Sequence, residues 1–364
     1  MPRAREAAVR EEEFDMTPSM PRCCTGPVQR PIASLLLVAA CVLGLATASS
    51  PGVSAASTPG GAFVTPSNPD PSTGSIRLHD VETGALLKTL FKSGSPGQVQ
   101  GLTLGPDGAI YGSFFDSGPN TDGQVLRIPQ PGVKAEVFVP VGSGGMFSPS
   151  GLTFGPDNNL YVVNNRGFLP HNVLRFDGRT GAFIDVFATG LSVPQDVIFG
   201  PDGNLYVSDG VANSVRRFDG RTGASMGQFV AAGSGGLNGP VGMAFGPTGD
   251  LYVASAFTDS VMQFDGRTGS FVRQFSSLDG IGRTPTDLAF GPTKDLYVAA
   301  RDSGTDVYRF DGDSGEFVDR FATGLATLNV GIFFADEQCS GSVVHGAASG
   351  CFAVRFPPSW TSGR

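Results

Sequence analysis

Short apolar runs separated by turn motifs recur along most of the chain. A typical run is Leu205, Tyr206 and Val207, which follows the turn Gly200-Pro201-Asp202-Gly203. Runs this short, rich in aromatic and β-branched residues and bounded by Gly and Pro, predict β-strands. The Gly-Pro turn returns at steps of 50, 45, 46 and 45 residues, beginning at Gly105, Gly155, Gly200, Gly246 and Gly291.

One copy of the repeat predicts four strands. In residues 196–229 the strands are 196–199, 205–207, 214–218 and 226–229, with a second turn, Asp-Gly-Arg-Thr-Gly, at 219–223. Proline presets φ for a tight turn, and glycine accepts the positive φ that a hairpin requires. Four antiparallel strands repeated every 45 or so residues predict the blade of a β-propeller.

The count of copies predicts six blades in an all-β fold spanning residues 62–336. Five copies are complete, whereas the N-terminal copy at 62–90 lacks its first strand. Residues 329–336 resemble a first strand with nothing complete behind it. We therefore expect this C-terminal strand to pair with the N-terminal segment and close the ring, which would remove the exposed sheet edges.

The segment before the repeats predicts export. An apolar stretch at 32–45 follows Arg22 and Arg30 and precedes small residues, which is typical of a secretory signal peptide. We assign residues 1–48 to that signal, with Met16 or Met20 as alternative starts, and residues 49–61 to a flexible linker. Cys41 also fits a lipoprotein cleavage site, so the predicted location is secreted or periplasmic, with lipid anchoring at Cys41 as the alternative.

Charge and cysteine content limit the partners. Residues 1–57 carry five acidic and five basic side chains, so the net charge of −8 belongs to the exported part. Because the sequence has no basic stripe, we do not expect nucleic acid or anionic membranes to be partners. In the tail at 337–364, Cys339 and Cys351 are expected to form one disulfide in an oxidising compartment. We expect a monomer with no membrane span after cleavage of the signal.

Candidate site residues come from the loops at one mouth of the channel, where propellers bind ligands. Carboxylate and amide oxygens there would suit a hard cation such as Ca²⁺. The metal candidates are Asp196, Asp287 and Asn329. For a protein or small-molecule ligand, the candidates are Asn165, Arg166, His171, Asp209, Arg301 and Asp302.

The pattern of residues 196–219, Asp-Val-x-Phe-Gly-Pro-Asp-Gly-Asn-Leu-Tyr-Val-Ser-Asp followed by Asn-Ser-Val-x-Arg-Phe-Asp, resembles NHL-type propeller repeats. It is also similar to the broader group of gluconolactonase-like and virginiamycin B lyase-like propellers. The resemblance covers residues 62–336 and implies the blade architecture, whereas these relatives differ in chemistry. Trp-Asp repeats are excluded because Trp360 is the only tryptophan and lies outside every blade.

The enzymes of that group imply residues that this chain lacks. Lactonase-like relatives hold a divalent metal with a glutamate before the first-strand motif, where this chain has Gln100. The lyases require channel histidines, and of His79, His171 and His345 only His171 lies in a predicted mouth loop. We therefore predict an exported binding module. A calcium-type, metal-dependent lactone hydrolase and a structural protein of the cell envelope are the alternatives.

Overall fold

The structure is a computed structural model that describes residues 62–70, 73–92, 97–115, 123–129, 134–165, 171–301, 305–325 and 332–335. All of them fall within one unit of the chain, Ser54–Arg364. The predicted signal peptide, the linker and the cysteines Cys41, Cys339 and Cys351 lie outside the described residues. No helix among the described residues has the length and apolar character needed to cross a membrane.

The three strands nearest the N-terminus belong to a sheet whose fourth strand comes from the C-terminal end of the described residues. They are β1 (Ala62–Asp70), β2 (Thr73–Asp80) and β3 (Leu86–Lys92).

Five further sheets follow, each built from one continuous stretch of chain with its strands in sequence order, and we call them blades I to V. Blade I contains β4 (Gln98–Leu104), β5 (Ile110–Phe115), β6 (Gln124–Ile128) and β7 (Glu136–Val139). Blade II contains β8 (Ser148–Phe154), β9 (Leu160–Asn165), β10 (His171–Phe176) and β11 (Phe183–Leu191). Blade III contains β12 (Pro194–Phe199), β13 (Leu205–Asp209), β14 (Ser214–Phe218) and β15 (Ser225–Val230).

The last two blades repeat the same order. Blade IV contains β16 (Pro240–Phe245), β17 (Leu251–Ser255), β18 (Ser260–Phe264) and β19 (Phe271–Ser277). Blade V contains β20 (Pro285–Phe290), β21 (Leu296–Arg301), β22 (Thr305–Phe310) and β23 (Phe317–Ala322). Short 3-10 turns occur at Ser143–Gly145, Ser234–Gly236 and Ala256–Thr258.

The final described strand, β24 (Phe333–Ala335), pairs with β1 rather than with its neighbours in sequence. The antiparallel register sets Ala62 opposite Ala335 and Val64 opposite Phe333. The resulting four-stranded sheet has the order β24-β1-β2-β3, and we call it the composite sheet. The prediction that the C-terminal strand pairs with the N-terminal segment agrees with this register.

The hydrophobic core lies between neighbouring blades. Tyr161 of β9, for example, packs edge-to-face on Phe187 of its own blade and on Phe199 of blade III, with ring centroids 4.8 and 5.0 Å apart. Its hydroxyl donates to Asp157 at 2.9 Å, in the Gly-Pro-Asp turn. The repeated Tyr and Asp are therefore fixed by packing and by hydrogen bonding, because a buried tyrosine hydroxyl requires a partner.

The Asp-Gly-Arg-Thr-Gly turns of blades II to IV each join their blade to the one before it, and Asp-Gly-Asp-Ser-Gly does the same in blade V. In blade III the carboxylate of Asp219 accepts the N–H groups of Arg221 and Thr222 at 3.1 and 2.8 Å. Gly223 then takes a φ of 72°, and a Cβ there would lie 1.9 Å from the carbonyl oxygen of Phe187 in blade II. Only glycine fits this joint, because any side chain would meet the backbone of the neighbouring blade.

The described part of the chain is therefore an all-β propeller with four-stranded antiparallel blades. Two faces follow from the strand order. The hairpin face carries the turns between first and second and between third and fourth strands. The loop face carries the connections from second to third strands, and from each fourth strand to the next blade.

Candidate functional site

The first strands of the blades enclose a cavity of about 120 Å³. It is lined by residues from β4, β8, β12, β16 and β20, so it lies in the central channel. Each of these strands has a β-bulge at the same place, just before or at the channel-lining glycine or aspartate. A bulge changes the direction of a side chain and frees a backbone group from the ladder. The channel therefore has a conserved geometry from blade to blade, with different side chains.

Asp196 stands at the bulge of blade III and is almost completely buried. Its backbone N–H donates to Ser208 Oγ at 3.0 Å, because the bulge has removed its ladder partner. One carboxylate oxygen accepts the N–H of Val197 at 2.8 Å, and the other accepts the N–H of Met243 in blade IV at 3.0 Å. Burial raises the pKa of this carboxyl from 3.8 to about 6, because desolvation outweighs the two backbone hydrogen bonds.

Asp287 occupies the equivalent position in blade V. Its carboxylate accepts the N–H of Ile332 at 2.7 Å, just before the last strand of the composite sheet. The other blades carry glycine here, and a Cβ on Gly151 or Gly242 would lie 2.5 or 2.3 Å from a carboxylate oxygen of Asp196 or Asp287. Each aspartate therefore occupies space left by the glycine of the preceding blade and binds an amide of the following one.

These contacts give the two aspartates a structural role in the channel. Among the described residues, no group of three or more His, Cys, Asp or Glu side chains is arranged to hold a metal ion. The third metal candidate, Asn329, lies outside the described residues. Calcium binding by Asp196 and Asp287 stays a prediction.

On the loop face, several buried polar side chains hold the connections in place. Asp209 is fully buried, and its two carboxylate oxygens accept the N–H groups of Ser192 and Val193 at 2.8 and 2.9 Å. In blade II, Asn164 accepts the N–H of Phe147 at 2.8 Å in the same manner. Both carboxylate oxygens of Asp209 thus bind the loop between β11 and β12. Its predicted contact with a ligand stays a prediction.

The remaining candidates are spread around the channel mouth. Asn165 and Arg301 end β9 and β21, and both are half-buried. Burial lowers the pKa of Arg301. His171 begins β10, opposite Leu191, and is also half-buried. Arg166 and Asp302, which follow Asn165 and Arg301 in sequence, lie outside the described residues.

Two exposed apolar side chains on the loop face were not among the residues predicted from the sequence. Phe257 is 75% exposed in a 3-10 turn of blade IV, and Val211 is 69% exposed in the corresponding loop of blade III. The ring of Phe257 rests on Gly239, where a Cβ would lie 2.6 Å from a ring carbon. Asn213, in the loop of Val211, accepts the N–H of Gly239 at 2.7 Å. A single apolar residue inside an otherwise small or polar loop was the only signal in the sequence.

A larger cleft of about 590 Å³ lies on the hairpin face between blades I and II. The acids that line it are largely paired. Arg127 bridges Asp107 and Glu136 with nitrogen–oxygen distances of 2.6 and 2.5 Å, and Asp177 accepts the N–H groups of its own turn. This cleft therefore offers few free groups to a ligand.

No family model and no curated protein matches the sequence. Solved structures do resemble the fold. A protein of unknown function from Bacteroides caccae is 16% identical, with a TM-score of 0.54, over 76% of this chain and 98% of that one. A chain in the nidogen/laminin complex is 17% identical, with a TM-score of 0.59, over 77% and 100%.

Virginiamycin B lyase from Staphylococcus aureus is also similar, at 17% identity and a TM-score of 0.48, over 71% of this chain and 83% of that one. Identities this low show the fold and leave the activity open. The resemblance seen in the repeats is confirmed at the level of the fold. Its four-stranded blades and its similarity to the first two of these structures show that the chain has the β-propeller fold.

Proposed function

We propose that this protein is an exported, closed, six-bladed propeller that binds a partner protein through its loop face. The composite sheet is the sixth blade in this proposal, and three contacts support closure of the ring. A Cβ on Gly84 would lie 2.0 Å from the carbonyl oxygen of Phe321, which repeats the joint between blades II and III. Arg77 donates to the carbonyl of Gly324 at 3.4 Å, and the amide of Ile332 donates to Asp287.

The observation that carries the proposal is the pair of exposed apolar side chains on the loop face. Phe257 and Val211 belong to neighbouring blades, and their loops are joined through Gly239. Both side chains are therefore held in place before any partner arrives, so little conformational entropy is lost on binding. Exposed aromatic and aliphatic residues on a rigid surface are the usual centres of protein–protein interfaces.

The uncharged loops around the two apolar residues favour a protein partner over a membrane surface. The loops at 210–213, 231–239 and 255–258 contain no charged residue, in a protein with a net charge of −8. An anionic membrane surface would require basic residues around the apolar pair. The nidogen/laminin complex also contains a propeller of similar fold in a protein assembly.

The proposal is tested by comparing matched alanine variants. The purified chain is immobilised, exposed to the secreted proteins of its source, and the retained proteins are quantified by mass spectrometry. Phe257→Ala and Val211→Ala should each weaken retention of the specific partner by about tenfold or more, as expected for a residue at the centre of an interface. Leu87→Ala and Val272→Ala make similar truncations at exposed sites on the outer strands and should retain the partner. Equal retention by all four variants would reject the loop face as the binding surface.

Export and the disulfide form part of the same proposal. N-terminal sequencing and the intact mass of the mature protein should show cleavage near residue 48 and a mass two hydrogen atoms below that of the dithiol form of Cys339 and Cys351. A mature chain that begins with a lipidated Cys41 would favour anchoring. A chain that keeps its first 48 residues inside the cell would contradict export.

A metal-dependent lactone hydrolase is the second candidate, because Asp196 and Asp287 line one cavity in the channel. Calcium should then raise the melting temperature, and Asp287→Asn should abolish both this effect and the hydrolysis of lactones. No change in melting temperature with any divalent cation would remove this candidate. A structural role in the cell envelope predicts that the mature chain sediments with the envelope after fractionation.

A further inference from the structure

One position at the channel mouth differs strongly between blades. It lies four residues after the second-strand tyrosine, and it is occupied by Phe115, Asn165, Gly210, Ala256 and Arg301 in blades I to V. Side chains along a strand alternate between its two faces, so this position points the same way as the tyrosine. Those tyrosines pack against the next blade, as Tyr161 does against Phe199. Asn165 and Arg301 therefore face the gaps between blades at the rim of the channel.

One polar atom of Asn165 has no partner among the described residues. Its amide nitrogen lies 3.4 Å from Ser150 Oγ, whereas its buried amide oxygen accepts no hydrogen bond from the part of the chain that the structure describes. A buried oxygen without a hydrogen bond is unfavourable because it has lost its contacts with water, so native proteins rarely retain one without a reason. Asn164, the preceding residue, has both ends of its amide paired, with Phe147 and with Gly145.

Arg301 shows the same property at the equivalent site of blade V. Among the described residues, its buried Nε atom has no hydrogen-bond acceptor, and no carboxylate forms an ion pair with its guanidinium. Arg216 and Arg217 of β14 also have a buried Nε without a hydrogen bond in the described part of the chain, but another nitrogen of each guanidinium contacts an oxygen, of Gly190 at 3.1 Å and of Asp202 at 4.0 Å. The third-strand arginines of blades II and V are fully paired. Arg175 and Arg309 each form an ion pair at 2.5 Å, with Asp185 and Asp319. A half-buried guanidinium with an unpaired Nε is suited to a carboxylate, which it can bind in a bidentate manner.

We propose that Arg301 and Asn165 form the two ends of a binding site for a peptide segment that carries a carboxylate. The carboxylate binds Arg301, and a backbone amide of the peptide satisfies Asn165, whose side chain can both donate and accept. Gln100 and Gln195 are half-exposed on the first strands of blades I and III. Their amide nitrogens donate to Gln98 and to the carbonyl of Val193 at 3.4 Å, so their amide oxygens are the groups offered to a peptide backbone. This inference rests on the proposed function, because it names the part of the partner protein that enters the mouth.

The depth of the carboxylate is set by the charges below the mouth. Asp196 and Asp287 line the channel cavity, and their negative charge would repel an anion that moved further in. A carboxylate is therefore most stable at the rim, beside Arg301.

A stability measurement separates a ligand-binding arginine from a structural one. Arg301→Met keeps the length of the side chain and removes the unpaired charge. We expect its melting temperature to equal or exceed that of the wild type, because burial of an unpaired guanidinium is unfavourable. A clear fall in melting temperature would show that Arg301 has an intramolecular partner and would overturn the inference.

The binding test uses an array of random heptapeptides in two forms, with a free C-terminal carboxylate and with a C-terminal amide. The wild type should retain peptides that contain a carboxylate. Arg301→Gln should lower that signal about tenfold, as expected for loss of a charged hydrogen bond, and Arg301→Lys should restore part of it. Asn165→Ala should weaken binding without removing the preference for a carboxylate. Arg283→Gln, an exposed arginine of the loop face, serves as the control and should bind as the wild type does.

The two forms of the array separate the sources of the carboxylate. Signal confined to free C-termini identifies a chain end, and signal from amidated peptides with Asp or Glu identifies a side chain; both support the site. No retained peptide, no carboxylate preference, or an unchanged signal in Arg301→Gln would overturn it. If Phe257→Ala still releases the partner protein while Arg301→Gln does not, the proposed function stands and this inference alone fails.

Discussion

The buried carboxyl of Asp196 predicts an unusual dependence of stability on pH. Its pKa is about 6 in the folded protein against 3.8 for an ordinary aspartate, because burial penalises the charged form. The folded state therefore binds the proton more tightly than the unfolded chain. Between pH 3.8 and pH 6 the contribution of this group to the free energy of unfolding falls as the pH rises.

The size of the effect follows from the two pKa values. A difference between 3.8 and about 6 corresponds to about 3 kcal/mol, absent below the lower value and complete above the higher one. For a propeller of this size, about 3 kcal/mol corresponds to roughly 5 °C in melting temperature. The ionised carboxylate destabilises the folded state. The contribution of Asp196 therefore makes the protein more stable at acidic pH than at neutral pH.

The assay compares the wild type with Asp196→Asn by chemical denaturation at several values between pH 4 and pH 8. Asparagine cannot ionise, so the variant lacks this dependence, whatever its stability at one pH. We expect the stability of the wild type relative to the variant to decline by about 2 kcal/mol from pH 4 to pH 7, because part of the full change already occurs below pH 4. Parallel profiles for the two proteins would refute the reasoning.

Asp219→Asn provides a control of opposite sign. Hydrogen bonds from Thr222 lower the pKa of Asp219 in its exposed turn. Its stabilising contribution is therefore present above pH 3.8 and is lost as the pH falls below that value, so the series for this variant and the wild type is extended down to about pH 2. The two variants should change the pH profile in opposite directions.

Two further predictions concern the packing of the blades. Gly223→Ala should destabilise the protein by about 3 kcal/mol or more, because its Cβ would lie 1.9 Å from the carbonyl oxygen of Phe187. Gly203 has a similar φ and open space around it, so Gly203→Ala should cost only about 1 kcal/mol. Equal melting temperatures for the two variants would contradict the inter-blade joint. Ser208→Ala should cost about 1–3 kcal/mol, because it leaves the buried N–H of Asp196 without an acceptor, and faster amide exchange at Asp196 should accompany it.

The local elements were predictable from the sequence because they depend on neighbouring residues. Gly200-Pro201-Asp202-Gly203 sets its own turn, since the carboxylate of Asp202 accepts the N–H of Asn204 at 3.0 Å. The run from Leu205 to Val207 is as apolar as a buried strand requires, and all three side chains are buried. The period of the repeat then indicates blades that bury these runs against one another.

The candidate site was only partly predictable, since its residue types do not reveal where their hydrogen bonds go. Asp209 and Asn165 both appear in sequence as polar residues at the end of a second strand. In the structure Asp209 accepts two amides from the loop that enters its blade, whereas the amide oxygen of Asn165 has no partner among the described residues. The difference depends on whether a loop N–H lies within reach, and this is set by chain segments about 17 residues earlier.

The sequence by itself determined the strands, the turns and the propeller class, because each follows from contacts within one repeat and from its period. The tertiary structure alone decided which polar side chains form hydrogen bonds within the protein. Asp196 binds an amide 47 residues away in the next blade, and Phe257 is held by Gly239 of a separate loop. Contacts between blades place distant segments side by side, so the free groups of the channel mouth, Arg301 among them, became visible only in three dimensions.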